Sequence, residues 1–322
     1  MSSYRCVVTG GAGFIGSGLV RGLLDAGESG VTVVDNLLTG HRSNLDQIAD
    51  RVNFQQVDIR NYDDIRKAFE SAQIVFHLAA IPSVPRSIKD PVPSHECNID
   101  GTFNVLLAAK EAGVRRVVYA ASSSAYGDTA VLPKVETMAP NPLSPYALQK
   151  LVGEYYLSVF WKCYALETVG LRFFNVYGPR QDPSSPYSGV LSIFMRSILE
   201  KTAPTIHGDG EQSRDFTYVD DVVGLLIKAS NAGSQCLGNT YNAGNGGRYT
   251  LNQVWETLQR LTGVQIEAKY GPSRAGDVRD SQADTAAARR DLGHAPQFSL
   301  EDGLRRTFEW YSANAESRLV AR

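Results

Sequence analysis

The sequence predicts an α/β fold, a doubly wound parallel sheet followed by a smaller mixed α/β lobe, on three observations. Short β-branched runs alternate with segments of helical period through the first half of the 322 residues. A glycine turn separates the first run from the first helical segment, and the second run closes on an aspartate. In order, the runs are Arg5 to Thr9, Val31 to Asp35, Asn53 to Val57, Ile74 to His77 and Val117 to Ala121. Helical patterns near Phe14 to Ala26, Asp63 to Ser71, Glu96 to Ala112 and Ser144 to Tyr164 fill the gaps, as crossovers between parallel strands must. Thr168 to Phe173 adds another strand, and Thr240 to Ala243 is expected to return to the same sheet.

After Gly178-Pro179-Arg180 the alternation stops, and Gln181 to Tyr187 is a Pro/Ser-rich loop of the kind that separates lobes or folds over a ligand. The expected division is a dinucleotide-binding domain over 1–180 and a substrate lobe over 181–322. Helical patterns in the second part lie around Val190 to Glu200, Val219 to Ala229, Leu251 to Thr262 and Leu300 to Tyr311. The end, Ser312 to Arg322, is polar enough to fray.

Acidic and basic residues nearly cancel, 34 against 32, which argues against any general affinity for nucleic acid or an anionic membrane. A small anionic ligand met by a few arginines remains open. Cys6, Cys97, Cys163 and Cys236 lie far apart with no CxxC spacing, and the histidines show no metal-ligand spacing, so neither a disulfide framework nor a metal is expected. Met1 to Arg5 lead straight into a strand without a signal-peptide pattern, and no run is long and apolar enough to span a bilayer. A cytoplasmic location is the expectation.

In Thr9-Gly10-Gly11-Ala12-Gly13-Phe14-Ile15-Gly16 the glycines let backbone amides approach a pyrophosphate, whose charge the helix amino terminus then favours. Such a turn alone is a weak signal; an acidic residue at the end of the second strand strengthens it into a Rossmann-like reading. That residue, Asp35, about twenty positions on, is placed to accept both ribose hydroxyls of an adenosine and to repel a 2′-phosphate, which favours NAD over NADP. Asn36 comes next, Asp58-Ile59 after the third strand are candidates to hold and flank the adenine, and Ala79 and Ala80 after the fourth leave room for cofactor backbone.

At the carboxyl edge of the fifth strand, where open α/β sheets bind ligands, stand Ser122, Ser123 and Ser124. Downstream, Tyr146 and Lys150 are four residues apart, which on a helix puts a phenol and an ammonium on one face. A phenol titrates near pH 10, so its use as a general base at neutrality needs a neighbouring cation. The spacing is common on helices, and its weight comes from the serines and the glycine turn that accompany it.

Together TGGAGFIG, the HLAA strand end, SSSAYG, YALQK and RFFNVYGPR resemble an extended short-chain dehydrogenase/reductase from about Tyr4 to Tyr311. Within that superfamily the chain is most similar to the NAD-dependent 4-epimerases of nucleotide sugars, particularly those acting on UDP-N-acetylglucosamine. The resemblance implies Tyr146 as base, Lys150 as the residue that holds the nicotinamide ribose and lowers the phenol's pKa, and Ser122 as hydrogen-bond partner of the reacting oxygen, with Ser123 and Ser124 beside it. Related dehydratases need an Asp-Glu couple after the catalytic hydroxyl, where this sequence has Ser123-Ser124. Reversible oxidation without elimination is what remains.

The same resemblance implies substrate contacts at Asn175 and Arg214, at Arg274 for phosphate and at Asp277 for the uridine ribose. Ser281 takes the place of a bulky tyrosine in relatives restricted to glucose and galactose nucleotides, which leaves room for an N-acetyl group. Ser83 is a further candidate beside the sugar, and His77 is read as structural. The segments Glu96 to Ala112 and Ser144 to Tyr164 correspond to helices that pair across a twofold axis, so a homodimer is implied. The resemblance thus implies a UDP-N-acetylglucosamine 4-epimerase that could also accept plain or uronic UDP-sugars; a nucleotide-sugar reductase or an epimerase at another carbon shares nearly every motif, and a non-catalytic NAD-binding regulator is disfavoured by the retained Tyr146 and Lys150.

Overall fold

The computed structural model describes residues 4–182, 189–273 and 278–314. Arg274, Asp277, most of the Pro/Ser-rich loop and the tail from 315 lie outside these residues. Strands β1 (Arg5–Thr9), β2 (Gly30–Val34), β3 (Asn53–Gln55), β4 (Ile74–His77), β5 (Arg116–Ser122) and β6 (Glu167–Phe173) come first. They are followed by β7 (Asn175–Tyr177), β8 (Thr205–His207), β9 (Ser213–Arg214), β10 (Phe216–Tyr218), β11 (Asn239–Ala243), β12 (Tyr249–Thr250) and β13 (Lys269–Gly271). The helices are α1 (Phe14–Asp25), α2 (Tyr62–Ala68), α3 (Val84–Lys89), α4 (Pro91–His95), α5 (Gly101–Glu111) and α6 (Pro145–Tyr164), then α7 (Val190–Glu200), α8 (Val219–Asn231), α9 (Leu251–Thr262), α10 (Ala286–Leu292) and α11 (Leu300–Ala313).

Seven strands form the central sheet in the order β11-β6-β5-β4-β1-β2-β3, every neighbouring pair parallel. Consecutive residues of these strands point to opposite faces, so Val8, Val33 and Val118 enter one apolar core with α1 and α8, while Val7, Val34 and Val117 enter another with α2, α5 and α6. That division is why the strands read as unbroken apolar runs. Strand order reverses between β1 and β4, the crevice where such sheets take their ligands, and the glycine turn and Ala79 face it. No helix among the described residues is long and apolar enough to cross a membrane.

Two helices differ from expectation in ways that matter. The segment expected as a helix over Glu96 to Ala112 begins earlier, at Pro91, because prolines are tolerated in a first turn; it then passes through a π-helical turn, Glu96–Asp100, before α5. Apolar periodicity cannot reveal that insertion. At the other end of the chain α11 runs on to Ala313, so Ser312, expected to fray, lies within a helix.

Candidate active site

On the cofactor side, Gly10 adopts φ +72°, and a Cβ there would lie 2.7 Å from the Ala79 amide nitrogen. Gly16 is tighter still, since its Cβ would fall 2.1 Å from the Gly10 carbonyl oxygen. Helix α1 starts after Gly13 with no side-chain cap, which leaves the amino-terminal end at Phe14 and Ile15 open to an anion. Asp35 is 7% exposed; its Oδ1 accepts the Leu37 amide at 2.8 Å and its Oδ2 the Ala12 amide at 3.0 Å, so the carboxylate is aimed and each oxygen retains acceptor capacity. Burial pushes its carboxyl up, against the pull of those two amides and His41.

Glycine turn, uncapped helix end and oriented carboxylate suit a dinucleotide pyrophosphate and an unphosphorylated ribose, so the residues present fit NAD. Asp58 is more committed than its sequence position suggests. It accepts from Asn36 Nδ2 at 3.0 Å and from the Arg60 backbone N, Nε and Nη2 at 2.9, 3.0 and 2.7 Å, the four hydrogen bonds a carboxylate can accommodate. Arg60 holds its carboxyl down to about 2. The neighbouring Ile59 is buried, and its carbonyl accepts from Asn104.

On the reacting side β5 ends at Ser122 and a 3₁₀ turn, Ser123–Tyr126, follows. Ser122 Oγ accepts the Ser124 amide at 3.2 Å and shares a 2.8 Å hydrogen bond with Ser124 Oγ. Ser144 caps α6 by accepting the Ala147 amide, Pro145 follows at the first turn, and the Tyr146 amide donates to Ser87 Oγ at 3.1 Å. This start brings the Tyr146 phenol within the influence of the Ser122 hydroxyl. Lys150, 3% exposed, donates from Nζ to the Ala120 carbonyl at 2.8 Å and lies 4.7 Å from the Tyr119 ring centroid.

The electrostatics differ from the simple picture of a lysine that lowers the phenol's pKa. Burial pushes the Tyr146 phenol up, and the neighbouring Ser122 hydroxyl acts to lower it. Desolvation brings the Lys150 ammonium down to about 8, with Cys97 and Glu154 acting to raise it. The protein alone thus holds the phenol protonated and the ammonium only moderately stable.

Sequence reasoning missed two buried hubs. Asn98, on the π turn, accepts the Ile81 amide at 2.8 Å, donates back to the Ile81 carbonyl at 3.2 Å and donates to Gln149 Oε1 at 2.9 Å, which ties the loop after Ala79 and Ala80 to the residue before Lys150. His77 joins the same assembly. Because Thr102 Oγ1 donates to the Asn98 carbonyl, His77 Nε2 carries the proton it offers Thr102, and Nδ1 accepts from Thr9 Oγ1 at 2.8 Å. Burial brings His77 down to about 3, so the ring is a neutral structural link, in line with expectation.

The second hub is Asp215, fully buried, whose carboxylate accepts the amides of Asn245, Gly246 and Ala283 at 2.9, 2.9 and 3.0 Å. Its carbonyl accepts the Asn175 amide at 3.0 Å. Arg214 Nη1 donates to the carbonyls of Ser213 and Arg279, and the Ser281 amide donates to Ser213. Asn175, Arg214 and Ser281 are therefore gathered around one residue. Ser281 is 9% exposed and its hydroxyl finds no partner among the described residues. Ser83 is occupied differently: its hydroxyl accepts the Arg86 amide and caps α3. Nothing in residue type or spacing marks Asn98 or Asp215, since their partners are distant in sequence.

Replacing Gly16 by alanine should collapse the glycine turn, because the added methyl meets backbone rather than a mobile side chain. The expected result is purified protein with less than about a tenth of the wild-type bound cofactor, measured by acid release, whereas full retention would reject the turn as the pyrophosphate seat.

Known proteins resemble this chain over nearly its whole length. The model of the NAD-dependent epimerase/dehydratase family matches residues 6–244. The UDP-glucose 4-epimerase of Mycolicibacterium smegmatis is 38% identical over 95% of this chain and 98% of its own length. Among solved structures, UDP-N-acetylglucosamine 4-epimerase from Methanobrevibacter ruminantium, in complex with UDP-N-acetylmuramic acid, has a TM-score of 0.92 at 36% identity, covering 98% of this chain and 100% of the other. The UDP-glucose 4-epimerase of Thermus thermophilus in complex with NAD has a TM-score of 0.88 at 36% identity, covering 96% and 99%.

Proposed function

The chain belongs to the NAD-dependent epimerase/dehydratase family, and from that membership we propose that it inverts C4 of a UDP-hexose through a bound 4-keto sugar. UDP-N-acetylglucosamine and UDP-N-acetylgalactosamine are the leading pair, with UDP-glucose, UDP-galactose and uronic forms as further substrates. The observation that carries the reading is the placement of Tyr146 and Lys150 on one face of α6, with Ser122 and Ser124 at the end of β5 beside the phenol and without the acidic couple that elimination needs. Tyr146 takes the O4 proton as the ketone forms and returns it as the alcohol is remade. Ser122 holds the reacting oxygen, and Lys150 supplies the positive charge that favours phenolate. NAD, held by the glycine turn and Asp35, would supply the reversible hydride transfer at C4.

Asn175, Arg214 and Ser281 are assigned to the sugar nucleotide, joined by Arg274 and Asp277, with 181–322 as the lobe that carries most of these contacts. Homodimerisation through α5 and α6 is part of the proposal, since Phe103, Leu148, Tyr155, Val159 and Tyr164 stand exposed there. The decisive experiment is incubation with UDP-N-acetylglucosamine, without added NAD, followed by NMR of the sugar. Appearance of the galacto epimer is the expected result; unchanged substrate, in protein confirmed to carry NAD, rejects the leading pair.

A further inference from the structure

One turn beyond Lys150 on α6 stands Glu154, so Tyr146, Lys150 and Glu154 occupy successive turns of one helix face. Glu154 is 7% exposed, and the reaction as proposed gives it no role. Arg172 grips its carboxylate with two prongs: Nε donates to Oε1 at 3.0 Å and Nη2 to Oε2 at 2.7 Å. Arg172 lies on β6 opposite Ala121, one step before the Ser122–Phe173 pair. Its guanidinium carbon sits 4.5 Å from the Tyr126 ring centroid, and the Tyr126 hydroxyl donates to Asn242 Oδ1 on β11 at 2.6 Å. Contacts thus run unbroken from the helix that bears Tyr146 to the turn that bears the serines.

A staple between helix and sheet does not call for charges, because a buried ion pair is often no more stabilising than apolar residues of the same volume. What Glu154 adds is a carboxylate one turn from Lys150, its pKa raised by burial and held down by Arg172 and by Lys150 itself. The other groups that act on or touch Lys150 are neutral at neutral pH: the His77 imidazole, the Cys97 thiol of the π turn, pushed up to about 11 by burial, and the phenol of Tyr119, raised by burial. Glu154 is the anion of that set.

We infer that Glu154, held by Arg172, is a positioning residue that keeps Lys150 charged and sets α6 in register with the serine turn. The inference rests on the epimerase reading. Its test compares wild type, Glu154→Gln and Glu154→Asp, each loaded with NAD, by kcat and KM from about pH 6 to pH 10. For Glu154→Gln the expected result is kcat lower by about 10- to 100-fold with KM within about threefold, and an alkaline limb moved to lower pH by about one unit. Glu154→Asp keeps the charge but shortens the reach, so its kcat falls while its limb stays with wild type. A Glu154→Gln enzyme with unchanged kcat, or with a lowered kcat and an unmoved limb, overturns the inference. Should that variant not fold, wild-type kcat in Glu154→Asp overturns it equally. A wild type silent toward every UDP-hexose sinks the epimerase reading and this inference with it, whereas an active wild type matched by Glu154→Gln sinks the inference alone.

Discussion

Tyr146→Phe is expected to lower kcat by about 10²- to 10⁴-fold, the usual contribution of a positioned acid–base group, while bound NAD and sugar-nucleotide affinity stay near wild type. The substitution removes one hydroxyl from a side chain whose backbone position is set elsewhere, by the Ser144 cap and the Ser87 contact, so the fold has no reason to change. Ser122 Oγ keeps its hydrogen bond with Ser124. Equilibrium binding of a UDP-hexose and thermal unfolding should therefore be unaltered, and the loss should appear in kcat. Turnover within about threefold of wild type would remove Tyr146 from the proton transfer.

The pH dependence gives a second check on the same pair. Desolvation disfavours the charged ammonium, so Lys150 titrates below the ordinary lysine value, at about 8. Its charge is complete a unit or so below that value and lost a unit above it. On the proposed mechanism phenolate is favoured only while that charge is present, hence kcat should fall as pH rises through about 8. A phenol acting unaided would show the opposite slope, activity rising as Tyr146 ionises. The profile thus tells cation-assisted from unassisted proton transfer.

How far the sequence spoke depends on whether a residue's role is local. Parallel strands such as Val117 to Ala121 are apolar on both faces and announce themselves, and a glycine turn between strand and helix has a local geometry that only those residues permit. Tyr146 and Lys150 were legible because helical spacing is local too. Strands of two or three residues, such as β9, β12 and β13, have no period to read and exist because partners distant in sequence align them. Asp215 and Glu154 look like ordinary acids in the sequence; backbone amides 30 to 68 residues away for the first, and an arginine on β6 for the second, make them what they are. Asn98 needed the π turn, which a uniform helical pattern concealed.

The specificity change with the largest expected effect is Ser281→Tyr. Ser281 is held by its amide on Ser213, as part of the segment that Asp215 anchors through Ala283, so a larger side chain cannot move away by shifting the backbone without disturbing Asn245 and Gly246 as well. Its hydroxyl has no partner among the described residues, so the serine itself contributes little bonding that the substitution would forfeit. The consequence is steric. Filling a well-packed site costs about 1–3 kcal/mol, which on kcat/KM is roughly 10- to 100-fold against a substrate that needs the space. On the proposed function only the N-acetyl sugars need it. Conversion of UDP-N-acetylglucosamine should fall by that factor while conversion of UDP-glucose stays within about threefold, both followed as kcat/KM on the same preparation. An equal fall for both sugars would mean that the phenol disturbs the whole site rather than an acetyl pocket. An unchanged ratio with activity preserved would place the acetyl group elsewhere and remove Ser281 from the specificity argument.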